Sequence, residues 1–191
     1  MASPAVAFFD PSMFGTYQAK FSSGSSKRER WCALDLMAVS NRKIEEIGEA
    51  FGVAGIMMFY VTADGREGID LRLAYKGYVT NAWRPVFGYL QTKSGTSANS
   101  VSRTAEWGFF GRTSLKVDND TRTLLREMVE QETVTIVGLG QDAKPEFAIP
   151  IDLTVTKSDV RGEEVLRHHS KETVDGFSRC LEGLGKGSYI K

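Results

Sequence analysis

A chain of 191 residues can bury roughly 70% of the surface its unfolded form exposes, so folding requires neither a metal nor a disulfide. Its 41% apolar and 25% charged residues are ordinary globular proportions, and 24 Lys and Arg balance 24 Asp and Glu. The balance excludes a global basic field for nucleic acid or anionic membrane and an acidic disordered chain, and no run nears the ~18 apolar residues of a helical span.

The start of the chain, Met1-Ala2-Ser3-Pro4, lacks the basic and long apolar regions of an intact signal peptide. Ala5-Val6-Ala7 nevertheless has the small-x-small form of a cleavage site. Residues 1–15 are read as an extended arm carrying Phe8, Phe9 and Phe14, whereas Tyr17 and Phe21 fit either that arm or an edge strand packing into the core. Strands are expected at residues 16–22 and 30–38, separated by the polar loop Ser22 to Arg30. A helix over 41–50, capped by Ser40 and stopped by Gly52, would place Ile44, Ile47 and Phe51 on one side.

The strongest local signal follows. Residues 55–62 are apolar and β-prone, Ala63-Asp64-Gly65 is a turn, and 68–75 alternate with Ile69, Leu71 and Leu73 on one face. More strands are expected at 84–91, 105–117, 133–138 and 147–156, with a long polar loop at 92–103. Pro150 lacks the N–H a ladder uses, which places its strand at a sheet edge or marks a bulge. Helices are expected at 121–131, after Asp118-Asn119-Asp120, and at 171–182, after Ser170. The second contains Gly176, which weakens a helix by about 1 kcal/mol. Together these define a mostly β chain, an antiparallel β-sandwich with two or three short peripheral α-helices, in one domain over residues 1–191.

Few residues suggest chemistry. Gly138-Leu139-Gly140-Gln141-Asp142-Ala143 fits a dinucleotide fingerprint, but Lys144-Pro145 and a strand follow where a helix should begin, so it reads as a hairpin loop. Gly185-Lys186 lacks the Ser or Thr of a phosphate loop, and Gly176-Phe177-Ser178-Arg179-Cys180 lacks the closing Gly of a nucleophile elbow. His168 and His169 are the two histidines and are adjacent, so they do not form a chelating face; a solvated loop is expected there. Asp35, Asp70 and Asp152 are assigned to solvent-side strand positions. No catalytic, cofactor or metal constellation emerges.

Two features remain. Lys27, Arg28 and Arg30, beside Trp31, form a local basic patch that could meet a phosphate or an acidic partner, or be merely a solvated loop. Cys32 and Cys180 read first as two small buried hydrophobes. The alternative is a disulfide closing nearly the whole chain, which requires an oxidising compartment.

The order Leu115-Lys116-Val117-Asp118, a helix around Leu124 and Leu125, Thr133-Val134-Thr135-Ile136, Ile149-Pro150-Ile151-Asp152-Leu153 and Val174-Asp175-Gly176-Phe177-Ser178-Arg179-Cys180-Leu181 spans residues 104–184. It resembles the layout of invasion-associated locus B-like proteins, small exported bacterial β-sandwich proteins. A central cysteine pair expected within 84–112 is missing, and a polar insert, 157–169, precedes Ser170. The resemblance implies a periplasmic or extracellular setting and brings no catalytic residues. The expected function is therefore a non-enzymatic binding or structural protein of the bacterial cell envelope, acting through surface loops on a protein partner or its own copies. The alternative is an assembly subunit of a virus or phage particle, in the virion or cytoplasm, using the N-terminal aromatic arm. A hydrolase ranks third.

Overall fold

The computed structural model describes residues 14–40, 52–76, 87–97, 101–102, 109–139, 145–161 and 164–184. In chain order the elements are β1 (Phe14–Ser25), β2 (Glu29–Ser40), β3 (Gly52–Thr62), β4 (Glu67–Lys76), β5 (Phe87–Gln91), β6 (Val101–Ser102), β7 (Phe109–Lys116), α1 (Asn119–Gln131), β8 (Thr133–Leu139), β9 (Pro145–Asp152), β10 (Val155–Arg161), β11 (Glu164–His169) and α2 (Glu172–Leu184). The fold is mostly antiparallel β. Two sheets, of order β1-β2-β3-β4-β7 and β6-β5-β8-β9, are accompanied by the two-stranded β10-β11.

Period-two alternation sets the core face of the large sheet. Cys32, Leu34, Leu36 and Ala38 of β2 lie opposite Phe59, Met57, Gly55 and Val53 of β3, and all are buried. Ile69, Leu71 and Leu73 of β4 extend the same face. The second sheet contributes Leu90, Val134, Ile136, Ile149 and Ile151 to that one apolar cluster. The sheets meet at Gly55, where an added Cβ would lie 3.0 Å from Leu73 Cδ2 and 3.4 Å from Ile136 Cδ1. Glycine here permits a close approach of the sheets and does not serve a turn.

Both helices lie with one stripe on this core. Asp118 caps α1 by accepting from the Thr121 amide at 2.9 Å and its hydroxyl at 2.7 Å, and Leu124, Leu125 and Met128 are buried. Ser170 accepts from the Glu172 amide at the start of α2, whose Val174, Phe177, Leu181 and Leu184 are buried. Gly176 of α2 faces Phe21: a Cβ there would stand 2.6 Å from the ring. Tyr17 and Phe21 therefore belong to β1, an edge strand of the large sheet. Pro150 lies in β9, an edge strand of the other sheet.

Several sequence expectations change. The strand expected at 147–156 ends at Asp152, whose carboxylate accepts from the amide and hydroxyl of Thr154 and turns the chain into β10. Leu153 and Val155 remain buried, so the apolar alternation continued through a turn. The polar segment 157–169 falls within the hairpin β10-β11, and His168 and His169 lie on a strand, not in a loop. Asp70 is 2% exposed, contrary to the solvent-side assignment. Cys32 and Cys180 are bonded to each other, with Cα atoms 6.0 Å apart. Of the polar loop at 92–103, residues 92–97 form a turn and Val101–Ser102 form β6. The helix expected at 41–50 and the arm up to residue 13 lie outside the described residues.

Candidate functional site

The basic residues sit at one end of the large sheet. Lys27 and Arg28 are exposed in the β1-β2 turn, which Ser26 closes by accepting from the amides of Arg28 and Glu29, both at 3.1 Å. The Arg28 carbonyl accepts from the Ala63 amide at 2.7 Å, tying this turn to the β3-β4 turn. There Asp64 accepts from the Thr62 hydroxyl and pairs with Arg66 at 2.8 Å, and these contacts, led by the Thr62 hydrogen bond, hold its carboxyl below the ordinary range. Arg30 instead donates to the Gly183 carbonyl at 3.4 Å, at the end of α2. Trp31 is half-buried on the outer face, where its indole covers Gly24. Lys27 and Arg28 are thus presented together, whereas Arg30 and Trp31 are partly engaged by the fold.

At the opposite side of β1 lies a polar cleft of about 540 Å³, lined in part by Thr16, Gln131, Glu132, Asp152, Thr154 and Arg167. Two bulges shape its border. Tyr17 is the extra residue of β1 and Thr156 that of β10. Gln18 Nε2 reaches from one bulged strand to the Thr156 carbonyl of the other at 3.0 Å. Thr16 anchors the junction: its hydroxyl accepts from the Asp152 amide at 2.7 Å, and its carbonyl from Arg167 Nε at 2.8 Å. Across the cleft, Glu132 follows α1 in the left-handed conformation with φ 53°, and its carboxylate binds Lys171 Nζ at 2.5 Å. That hydrogen bond and charge raise the Lys171 ammonium above its usual value.

The histidines flank this region in two separate pairs. His168 Nε2 lies 2.8 Å from Asp159 Oδ2, while Lys157 Nζ lies 2.6 Å from Oδ1. Lys157 first, then His168, hold the Asp159 carboxyl low. His169 Nδ1 is 2.9 Å from Thr154 Oγ1, which donates to Asp152 Oδ1 at 2.7 Å. A nucleophilic hydroxyl must give its proton to a base that an acid orients from its far side. Here Thr154 Oγ1 already donates to Asp152 Oδ1, and the two contacts fasten the turn between β9 and β10. Among the described residues, no three His, Cys, Asp or Glu side chains converge as metal ligands, and no helix is long and apolar enough to cross a membrane.

The chain matches no family model, no curated protein and no solved structure. The cleft was not foreseen from the sequence, because its lining residues come from positions as distant as Thr16 and Arg167. The turn residues around Asp152 were the one local signal that could have located its border. The cysteine pair was visible as residue type, but only the packing of α2 on β1 and β2 brings the sulfurs together.

Proposed function

We propose that this chain is a disulfide-stabilised, non-enzymatic binding protein of an oxidising compartment, the bacterial cell envelope, which engages a protein partner through its surface loops. The observation that carries the reading is the Cys32–Cys180 bond, since such bonds persist outside reducing cytoplasm. The exposed Lys27-Arg28 turn, braced against the β3-β4 turn, supplies a rigid, locally charged contact on a neutral molecule. The polar cleft beside β1 offers hydrogen-bonding groups, among them Thr16, Gln131 and Arg167, to a bound partner.

The test is the thiol state of protein from its natural source, quenched in acid and alkylated before purification. Intact mass without reductant should show no alkylated cysteine. Two alkylated cysteines in freshly quenched material would overturn the compartment. For the contact surface, reversing Lys27 and Arg28 to Glu should abolish capture of the partner recovered by crosslinking the unaltered protein. Unchanged capture would remove the turn from the interface.

A further inference from the structure

Cys32 and Cys180 share one bond across 148 residues of sequence, yet their surroundings differ. Cys32 is 0% exposed, set in β2 between Ser23 of β1 and Phe59 of β3. Cys180 lies on α2 and is only partly buried, between exposed Arg179 and buried Leu181. Arg30, reaching Gly183, puts a second guanidinium along the same end of the helix. Thiol–disulfide exchange depends on which sulfur an incoming thiolate can reach.

We propose that Cys180 is the sulfur at which this bond is made and opened, with Cys32 as the resolving thiol. In formation, the deprotonated Cys180 thiol attacks one sulfur of an external disulfide R–S–S–R and expels one R–S⁻. The deprotonated Cys32 thiol then attacks Cys180 Sγ and expels the second. The two cysteines lose two protons and two electrons, and the external disulfide becomes two thiols. Opening runs in reverse: R–S⁻ attacks Cys180 Sγ and Cys32 departs as a thiolate. Burial in apolar surroundings disfavours that thiolate, so it takes up a proton or reattacks Cys180. Protonation of Cys32 leaves the mixed disulfide on Cys180 as the species to be trapped, and the bond's partner in the cell is an external disulfide of the thiol-exchange class, met from the α2 side.

This assignment is independent of the compartment, because it concerns which sulfur reacts rather than where the bond forms. Folded protein is incubated with excess reduced glutathione, acid-quenched and peptide-mapped by mass. The expected product carries glutathione on Cys180 and a free thiol on Cys32. Glutathione on Cys32, an equal split, or no adduct while denatured protein reacts fully would each overturn the proposal. Single-cysteine variants Cys32→Ser and Cys180→Ser, confirmed folded by circular dichroism, supply the rates with oxidised glutathione. Cys180 should react at least about tenfold faster than Cys32. Comparable rates in folded variants would refute it, and where a variant does not fold the map on the unaltered protein decides.

Discussion

Replacing Gly176 by Ala sets two known effects against each other. In a helix interior the exchange adds about 0.8–1.0 kcal/mol of stability, since Ala loses less backbone freedom and shields the helix better. At this position the new methyl would stand 2.6 Å from Phe21 Cδ1, 3.0 Å from Cε1 and 3.2 Å from Cγ. The close atoms include the ring's attachment point, so rotating the far end of the side chain does not relieve the contact. Phe21 is held in β1, and α2 is held by the bond to Cys32 and by Thr173 donating to the Ala19 carbonyl at 2.9 Å. Overpacking of this kind costs about 1–3 kcal/mol. The net expectation is a loss of roughly 1 kcal/mol, seen as a fall of about 2–4 °C in melting temperature. Urea unfolding of Gly176→Ala measures the sign directly. The same change in a Phe21→Ala background should instead stabilise by about 1 kcal/mol, because only the propensity term remains. A more stable Gly176→Ala in the unaltered background would refute the claim that this glycine exists to admit the ring.

Other expectations follow from single contacts. Replacing both Cys32 and Cys180 by Ala removes a cross-link spanning 148 residues. The chain-entropy model bounds the loss at about 5 kcal/mol, and a urea-unfolding change below about 1 kcal/mol would refute the model for this bond. Thr16→Val keeps the shape of a residue only 4% exposed but strips the Asp152 amide of its acceptor. This should cost about 1–3 kcal/mol by the same assay and loosen amide exchange at 152–155. Asp118 is held below its ordinary value by the Thr121 hydroxyl and then the Thr121 amide. Its folded value lies under the unfolded one, so its contribution is complete above the unfolded pKa near 3.8 and fades as pH falls through the folded value. Asp118→Asn retains a cap acceptor without titrating, so its stability should fall less steeply between about pH 4 and about pH 2 than that of the unaltered protein. Parallel slopes would exclude Asp118 from acid unfolding.

Much of the β framework was legible because it obeys one rule locally. Ile69, Leu71 and Leu73 alternate with Asp70 and Arg72, and Asp64-Gly65 turns the chain with Gly65 at φ 82°, so neighbours in sequence were enough to place the β3-β4 hairpin. Pro150 carried its own meaning, since a residue without an N–H settles at an edge. The β10-β11 hairpin was obscured because Lys157, Asp159, Arg167 and His168 give it a polar composition. Its inward positions are polar as well, with Ser158 and Arg167 bonding the Thr16 carbonyl. Hydrophobic periodicity cannot report a strand whose buried side hydrogen-bonds. Asp70 was misplaced for a related reason: alternation assigns a face, but not whether that face is covered.

Composition and pattern by themselves determined a neutral, mostly antiparallel β chain with capped helices before β8 and near its C-terminal end, because these depend on backbone preferences and apolar spacing within a few residues. Tertiary packing alone decided that Gly176 must be small, that Thr16 joins β1 to β9 and β11, and that the sulfurs of Cys32 and Cys180 meet. Those outcomes depend on distances between elements, which a linear order leaves open until the sheets and α2 close on a shared core. The disulfide, and the unequal burial of its two cysteines, belong to that second class.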